Sequence, residues 1–371
     1  MQIGFDAKRA FFNRSGLGVY SRSTVALLAK YAPDNHYTLF SPKAGNPAGF
    51  AVPEGVDVVY PRGLASAVPS LWRTYAMAGS IRSSGVGVYH GLSHELPADI
   101  HRARVRSVVT MHDIIFVHHP ELYTPADRRL YTIKYKQSCH AADRIIAISE
   151  QTRADLVNEW NIDPAKIEVI YQGCDPQFGV EASVQQRAEV RARYRLPDRY
   201  ILSVGSIEER KNLMLTVRAM VEGRLDVHLV AIGRHTPYSD RIMEYATAHG
   251  IADRISMHHN ARFDDLPALY QMADGFVYTS LFEGFGIPII EALTSRVPVI
   301  TSAGGVFPEA GGDACIYVNP FSVEQMIEAL RSVLSNSTLR ADMIARGTAH
   351  AARFAEPLIA QNLTRLYRSL L

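Results

Sequence analysis

Residues 275–295 read GFVYTSLFEGFGIPIIEALTS and predict a strand, a glycine-rich loop and a helix in direct succession. Aromatic and β-branched residues favour the strand. Gly284 and Gly286 allow the backbone of the loop to approach another group closely. Pro288 suits the first turn of a helix, where its missing N–H costs nothing. A strand followed by a helix is the repeating unit of a parallel α/β sheet, so this stretch predicts that fold class.

The same alternation of strand and helix runs along the whole chain in two series. The predicted strands are QIGFDA (2–7), YTLFS, VDVVY, VGVYHG, VRSVVTMHD, RIIAIS and IEVIYQG, and then YILSVGS, VHLVAIG, ISMHH, GFVYTS, PVITSAGG and ACIYVNP. Residues 173–186 are rich in Gly, Pro and polar side chains and predict a linker. We therefore predict two doubly wound Rossmann-like domains, residues 1–178 and 179–354, with a ligand-binding cleft between them.

Composition restricts the class of protein. The chain has 371 residues, of which 47% are hydrophobic, and this is enough for two packed cores. Its 39 Lys and Arg nearly balance 37 Asp and Glu, which argues against a nucleic-acid-binding protein that relies on phosphate contacts. The three cysteines lie far apart and predict reduced thiols.

No targeting or spanning segment is predicted. Residues 1–12 do not resemble a signal peptide, and no apolar run approaches the roughly 20 residues of a spanning helix. We expect a soluble, cytoplasmic protein. Peripheral contact with the inner face of a membrane stays open, and so does the oligomeric state.

Glu283 and Glu291 have two interpretations. Glu283 is expected on the loop, and Glu291 about one turn into the helix that follows. N–H groups at the start of a helix favour an anion. A phosphorylated ligand could lie there, with each carboxylate accepting hydrogen bonds from sugar or ribose hydroxyls. Alternatively, Glu291 only favours the helix dipole and Glu283 is an exposed loop residue. The spacing alone does not decide between them.

Two further stretches carry candidate phosphate ligands. SVGSIEERKNL predicts a strand, a turn, and a helix opened by Arg210, Lys211 and Asn212. These cations suit a diphosphate, although a solvated charge cluster is the favoured interpretation of this stretch by itself. NRSGLGVYS contains Gly16 and Gly18 in a near match to the dinucleotide fingerprint, too far from the preceding strand to fulfil it. A loop that folds over a phosphate is the interpretation kept for it.

His112 ends the predicted strand VRSVVTMHD, where a histidine could bind a ligand hydroxyl. Other histidines lie nearby in the sequence, at 90, 94, 118 and 119. Their spacing matches no metal-binding motif, and no Asp-x-Asp pair is present, so we predict no metal site. A nucleophile elbow and a P-loop are also missing from the sequence, so acyl transfer and ATP hydrolysis lack support.

EGFGIPIIEAL, the upstream RKN, SGLGVYS near the N-terminus and HD in the first half together resemble the retaining GT-B glycosyltransferases of family 4 (group 1). The resemblance covers essentially the whole chain. IGFDAKR and LYTIKYKQSCHAADRIIAISEQT are most similar to the mannosyltransferase B-like subgroup, which extends O-antigen and related polysaccharides. The resemblance implies that residues 355–371 form a helix that packs back on the first domain.

The resemblance also implies an activity and roles for the charged residues. The expected reaction is metal-independent, uses no cofactor, and moves a hexose, with GDP-mannose favoured, to a sugar or lipid-linked saccharide acceptor. Glu283 would contact the donor sugar, and Glu291 would hold the ribose hydroxyls. Arg210 and Lys211 would bind the diphosphate and stabilise the leaving nucleotide. No protein base is then needed, because the departing phosphate oxygen can take the acceptor proton on the same face.

The remaining donor contacts implied by the resemblance come from the backbone. Amides of Phe285, Gly286 and Ile287 would contact the sugar and the phosphate. Gly16 and Gly18 would form a loop that closes over the pyrophosphate and the acceptor.

Histidines and one further carboxylate complete the implied site. His112 would contact the 6-hydroxyl of the donor sugar. The segment YHGLSHELP follows a strand of the first domain, so His90, His94 and Glu95 are candidates for acceptor binding. For His94 and Glu95, capping of a turn is an equally good interpretation.

Other functions stay open at this point. A transferase that uses UDP-glucose or a UDP-hexosamine, and a non-hydrolysing UDP-sugar epimerase, would share the two-domain architecture. An NAD(P) oxidoreductase is disfavoured by the misplaced glycines, and a periplasmic type of sugar-binding protein by the missing signal peptide.

Overall fold

The chain folds into two units. The computed structural model describes the backbone of residues 1–371 and the side chains of all of them except Leu64 and Ala65. The first unit comprises Met1–Gly173 and Glu356–Leu371, and the second comprises Cys174–Ala355.

The first unit is built on a parallel sheet. Its strands are β1 Gln2–Asp6, β2 His36–Phe40, β3 Val56–Val59, β4 Val88–Gly91, β5 Arg106–Met111, β6 Arg144–Ala147 and β7 Ile167–Val169. Over the described residues they form one seven-stranded sheet in the order β3-β2-β1-β4-β5-β6-β7. Ile3 pairs with Tyr37 of β2 on one side and with Val88 of β4 on the other. The winding direction therefore reverses between β1 and β4, which is where open sheets of this kind bind ligands.

Helices and short turns connect these strands. The helices are α1 Lys8–Phe12, α2 Gly16–Tyr31, α3 Pro69–Leu71, α4 Met77–Ser83, α5 Ile115–His118, α6 Pro125–Ala141 and α7 Glu150–Trp160, with a π-helical turn at Trp72–Ala76. Short 3-10 turns lie at Gly63–Ala67, Ile100–Ala103, Pro120–Leu122 and Pro164–Lys166. The start of α6 follows from its sequence, because the Thr124 side chain accepts a hydrogen bond from the Asp127 N–H and Pro125 occupies the first turn.

The predicted loop conformation at Gly16 and Gly18 is wrong, because both residues lie in the first turn of α2. Their contact with a donor phosphate stays a prediction. A Cβ atom added to Gly18 would lie 1.9 Å from the main-chain oxygen of Asn13, whereas one added to Gly16 would meet nothing within 4 Å. The same Asn13 oxygen accepts a hydrogen bond of 2.7 Å from Arg22 of α2. Gly18 therefore serves the close packing of the α1–α2 connection.

The second unit repeats the architecture with six strands. They are β8 Tyr200–Val204, β9 His228–Ile232, β10 Ile255–His258, β11 Gly275–Tyr278, β12 Val299–Ser302 and β13 Cys315–Val318. Within the described part of the chain they form one parallel sheet in the order β10-β9-β8-β11-β12-β13. Its winding reverses between β8 and β11, so the loops after these two strands meet at its switch point.

The helices of the second unit include one start that differs from the prediction. They are α8 Val184–Tyr194, α9 Leu213–Glu222, α10 Pro237–Ala248, α11 Leu266–Gln271, α12 Ile287–Thr294, α13 Phe307–Gly311, α14 Val323–Ser335 and α15 Ser337–Ala351. Short 3-10 turns lie at Pro176–Gly179, Glu209–Lys211, Ala252–Arg254, Phe263–Asp265 and Ala352–Phe354. Arg210 and Lys211 do not open a helix. They belong to a 3-10 turn, Asn212 follows with a left-handed φ of 54°, and α9 begins at Leu213.

The predicted linker, residues 173–186, is more ordered than expected. It contains the 3-10 turn Pro176–Gly179, and α8 begins within it, with the Ser183 side chain as N-cap. Phe178 is fully buried and packs edge-on against Tyr270, with ring centroids 5.7 Å apart. The division between the units therefore falls after Gly173, ahead of the predicted boundary at residue 178.

The final helix, α16, spans Glu356–Leu370 and belongs to the first unit. Its residues Ile359, Leu363 and Tyr367 are buried in the same hydrophobic cluster as Leu28 of α2. The chain thus returns to the first unit after completing the second.

Candidate functional site

Three charged side chains meet at the switch point of the second sheet. Glu283 follows β11, whereas Arg210 and Lys211 follow β8. The carboxylate lies 2.5 Å from the Lys211 Nζ and 2.9 Å from an Arg210 terminal nitrogen. All three side chains are largely buried, with exposed fractions of 11% for Glu283, 15% for Lys211 and 20% for Arg210. The structure thus brings together the three second-unit residues that the sequence analysis selected for catalysis.

Backbone contacts between the two loops hold this cluster. The Leu281 N–H donates to the Arg210 carbonyl oxygen at 2.8 Å, and an Arg210 guanidinium nitrogen donates to the Phe282 carbonyl oxygen at 2.6 Å. Asn212 takes the left-handed conformation between them and donates its side-chain amide to the Pro320 carbonyl oxygen. These hydrogen bonds therefore hold the two loops together.

The cluster carries an excess of cations over the single buried carboxylate. Burial acts to raise the pKa of Glu283, but Lys211 and Arg210 outweigh it, so that the pKa falls below its ordinary value. Burial lowers the pKa of Lys211, and the attraction of Glu283 only partly opposes this. Glu208 forms the outer partner of Arg210 at 2.9 Å. The charge cluster that the sequence analysis considered is thus present in part, since Arg210 pairs with Glu208. Arg210 and Lys211 also contact Glu283.

Tyr278 is a residue of this cluster that the sequence analysis missed. Its hydroxyl accepts a hydrogen bond of 2.7 Å from Lys211, whose ammonium also lies 4.9 Å from the ring centroid. The hydroxyl and the ring of Tyr278 therefore help to orient the Lys211 ammonium. The only available signal was an aromatic residue at the end of a predicted strand, and this is also typical of core packing.

The loop from residue 284 to 286 leads into α12 as predicted. Gly286 precedes the helix with a φ of 113°, a conformation that favours glycine. The Phe285 side chain is buried and packs edge-on against Phe354, so only its backbone could meet a ligand. Ile287 is the first residue of α12, and its N–H has no partner within the helix. Pro288 carries no N–H, and the Ile289 N–H donates to the Gly286 carbonyl oxygen at 2.9 Å.

Glu291 lies one turn into α12 and is partly buried. Its carboxylate accepts a hydrogen bond of 3.0 Å from the Tyr270 hydroxyl. Burial raises the pKa of Glu291 from 4.5 to about 7, with Asp175 adding to the effect and the Tyr270 bond opposing it. Among the described residues Glu291 has no cationic partner comparable to those of Glu283, so the two glutamates are electrostatically different.

His112 in the first unit has both ring nitrogens engaged. Its Nε2 bonds the Leu92 carbonyl oxygen at 2.9 Å, and its Nδ1 lies 3.2 Å from the Gln172 amide nitrogen. The hydrogen bond to a carbonyl oxygen requires a proton on Nε2, so Nδ1 is the acceptor. Burial lowers the pKa of His112 to about 4. The predicted sugar contact would therefore require Gln172 to give up its bond.

The prediction that His90 binds the acceptor is corrected by its placement. The side chain is fully buried, with Nδ1 2.7 Å from the Tyr367 hydroxyl and Nε2 2.7 Å from the Thr110 hydroxyl. Burial lowers its pKa to about 3. Both nitrogens are used inside the unit, where they join β4, β5 and the final helix α16.

His94 is also buried, with 5% of its surface exposed. Its Nε2 accepts a hydrogen bond of 3.1 Å from the His112 N–H, and its ring stacks on Tyr135 at 4.5 Å. The Nδ1 atom is buried without a hydrogen-bond partner among the described residues, and the backbone φ is 66°. His94 thus packs inside the unit, and its role as an acceptor ligand stays a prediction. Glu95 is partly exposed beside Arg73 and Lys134.

Two further properties concern metals and membranes. Across the residues that the structure describes, no group of three or more His, Cys, Asp or Glu side chains is placed to hold a metal ion. No helix formed by these residues has the length and apolar character to cross a membrane.

Comparisons with protein families agree with the division into two units. A model described as "Glycosyl transferases group 1" matches residues 186–350, and one described as "Glycosyltransferase Family 4" matches residues 15–178.

Curated relatives include two bacterial mannosyltransferases. The O-antigen chain mannosyltransferase B of Escherichia coli is 31% identical over 277 residues, which cover 72% of this chain and 70% of that protein. The O-antigen chain mannosyltransferase RfbU of Salmonella typhimurium is 26% identical over 66% of this chain and 65% of its own length. The chain therefore matches about two thirds of the length of these relatives.

Solved structures share the architecture. The crystal structure of Anabaena Alr3699/HepE in complex with UDP and glucose superimposes with a TM-score of 0.77, at 18% identity and with 100% of both chains covered. This likeness confirms the predicted GT-B fold class of two Rossmann-like domains.

Proposed function

Because the chain belongs to the group 1 glycosyltransferases of glycosyltransferase family 4, we propose that it transfers a hexose with retention of configuration. The proposed donor is GDP-mannose, and the proposed acceptor is a sugar or lipid-linked saccharide in polysaccharide synthesis of the O-antigen type. The names of the bacterial relatives support mannose and this pathway. The observation that carries the proposal is the Glu283–Arg210–Lys211 cluster at the switch point of the second sheet.

The donor would lie along the loop and the start of α12. Its ribose hydroxyls would donate to Glu291, and its diphosphate would accept from the N–H groups at Gly286 and Ile287. Arg210 and Lys211 would bind the phosphate oxygens, and Glu283 would accept from the hydroxyls of the sugar. This arrangement uses each group for its own chemistry, since the cations face the anion and the carboxylates face hydroxyls.

Glu283 is unsuited to be the general acid or base of this reaction. Two cations hold its carboxylate ionised and hydrogen-bonded. In the proposed reaction the bond between the anomeric carbon and the phosphate oxygen breaks, and the acceptor oxygen bonds to the same face of that carbon. The acceptor proton passes to the departing phosphate oxygen. Arg210 and Lys211 would stabilise the charge that develops on this leaving group and so supply positive charge without a metal ion.

Thermal-shift titration of the full chain tests this proposal. The ligands are GDP-mannose, UDP-glucose, UDP-GlcNAc, GDP, UDP and NAD, each with and without a chelator. A ligand that binds only the folded state adds about 2.7 kcal/mol at a hundredfold excess over its dissociation constant. We expect a shift with GDP-mannose that the chelator does not change. A shift with the UDP-sugars alone would replace the donor, and a shift with NAD alone or with none would contradict the proposal.

Product analysis tests the reaction itself. Incubation of the bound nucleotide sugar with octyl α-mannoside should yield a disaccharide, whose anomeric C–H coupling in NMR reports retention. Conversion of the nucleotide sugar without any acceptor product would instead indicate an epimerase. Glu328→Gln is the matched control for a Glu283→Gln variant, because Glu328 is an exposed residue of α14.

A further inference from the structure

The first unit contains a small pocket at the switch point of its sheet, the position that corresponds to the Glu283–Arg210–Lys211 cluster in the second unit. The pocket has a volume of about 20 Å³, and its wall includes Asp6 at the end of β1 and Glu95 shortly after β4. Arg73, Lys134 and Gln137 contribute further polar groups to the wall. Because the winding of this sheet reverses between β1 and β4, the pocket lies at the switch point of the first sheet.

A buried arginine organises the wall of this pocket. Arg73 is 8% exposed in its side chain and bonds Asp6 through Nε at 2.9 Å and Glu95 through Nη1 at 2.7 Å. Arg73 belongs to the π-helical turn Trp72–Ala76. Such turns are rare in proteins, and those that occur are often found at functional sites. Burial opposes its charge, but the two carboxylates outweigh burial and raise the pKa of Arg73 above its ordinary value. Arg73 is thus a positioning residue that orients Glu95.

Glu95 and Lys134 keep polar atoms for a ligand. Arg73 and Lys134 both contact the same carboxylate oxygen of Glu95, Oε2, at 2.7 and 3.5 Å. Among the described residues, no side-chain hydrogen bond reaches the other oxygen, Oε1. Among the described residues the Lys134 ammonium pairs only with Glu95, and the side chain is 36% exposed, so the ammonium has further donors. The wall therefore offers one anionic acceptor and one cationic donor side by side.

We propose that this pocket takes a hydroxyl or hydroxymethyl group of the acceptor hexose, an assignment that rests on the proposed function. The volume suits one group of about the size of water, so the sugar ring would stay outside. The hydroxyl would donate to Glu95 and accept from Lys134. A phosphate is disfavoured, because the ionised Glu95 would repel it and the pocket is too small for it.

The test measures sugar binding by the full chain without any donor. Saturation-transfer NMR would give dissociation constants for methyl α-mannoside, α-glucoside and α-galactoside, and then for the monodeoxy analogues of the best ligand. We expect one analogue to bind about tenfold or more weakly, because it leaves a charged hydrogen-bonding group unpaired. Glu95→Gln and Lys134→Met should bind the parent sugar as weakly as that analogue and lose the discrimination between the two. Glu54→Gln is the control, since Glu54 is exposed in the same unit.

Each outcome decides the assignment. Lys134→Met leaves the bond between Arg73 and Glu95 in place, so it reports on the pocket even if Glu95→Gln folds poorly. Equal binding of all analogues by the wild-type protein, or no binding of any glycoside, overturns the proposal and leaves a water pocket. Retained discrimination in both variants overturns it as well. The thermal shift with GDP-mannose depends on the second unit and should be unchanged in both variants, so its failure in the wild type is a separate failure of the proposed function.

Discussion

Replacement of Glu291 by glutamine should stabilise the protein at alkaline pH while weakening donor binding. Burial raises the pKa of this carboxyl from 4.5 to about 7. Since one pKa unit corresponds to 1.36 kcal/mol, the difference between these two pKa values corresponds to about 3.4 kcal/mol of unfolding free energy. Because Glu291 is only partly buried, solvent screening reduces the expected cost of its ionisation to about 2 kcal/mol. Glutamine keeps an oxygen for the Tyr270 hydroxyl but carries no charge.

The direction of the pH dependence follows from the raised pKa. Below pH 4.5 the carboxyl is protonated in both the folded and the unfolded chain, so its ionisation costs nothing. As the pH rises towards 7, the unfolded chain ionises first and the wild-type protein loses stability. Above pH 7 the full cost is present. The unfolding free energy of Glu291→Gln should therefore match that of the wild type near pH 4.5 and exceed it at pH 8.

Thermal melts of both proteins across this pH range measure the effect. A gain of about 2 kcal/mol corresponds to a rise in Tm of roughly 4–8 °C for a unit of this size. The affinity for GDP-mannose should fall about tenfold or more in the variant, since charged hydrogen bonds to the ribose are lost. Wild-type affinity should also decrease as the pH falls below 7, whereas that of the variant should stay flat. A Tm difference that is the same at pH 5 and pH 8, or a variant with wild-type affinity, would refute this reasoning.

Three further substitutions test other parts of the structure. Lys211→Met should lower kcat about 100-fold or more, because it removes a group that stabilises leaving-group charge. As the control, Arg241→Met at an exposed ion pair should keep kcat within twofold of the wild type; a loss of kcat below tenfold for Lys211→Met would contradict its role. Gly18→Ala should cost more than about 1 kcal/mol of unfolding free energy because its Cβ would meet a main-chain oxygen, whereas Gly16→Ala should be neutral or stabilising by up to about 1 kcal/mol; denaturant melts in the reverse order would contradict the helical assignment. Arg73→Met should destabilise the first unit by about 3–5 kcal/mol at neutral pH, because the buried Asp6 and the partly exposed Glu95 lose their shared cation; a cost below about 1 kcal/mol in urea unfolding would contradict the importance of this network.

Local patterns in the sequence were sufficient for the fold and for part of the site. The alternation of apolar strands with helices predicted both parallel sheets, because a strand buried on both faces must be apolar along its whole length. Gly286 and Pro288 marked the loop and the start of α12, since both act on the backbone at their own positions. The roles of Glu283, Glu291 and the basic pair came from resemblance to a family and stay predictions.

The remaining features depend on contacts between distant segments, which local patterns do not encode. Lys211 and Glu283 are 72 residues apart in the sequence, and the order of β8 and β11 in the sheet brings them to 2.5 Å. The sequence suggested that His90 could bind a ligand, yet its Nδ1 is hydrogen-bonded to the hydroxyl of Tyr367, 277 residues later. The glycines at 16 and 18 were expected in a loop, but both lie in a helix, where Gly18 closely approaches the main chain at Asn13. The sequence by itself therefore determined the succession of strands, loops and helices, because each depends on neighbouring residues. Only the tertiary structure decided which charges are paired, which histidines are buried and how far the pKa of Glu291 rises, because these depend on burial and on side chains from other segments.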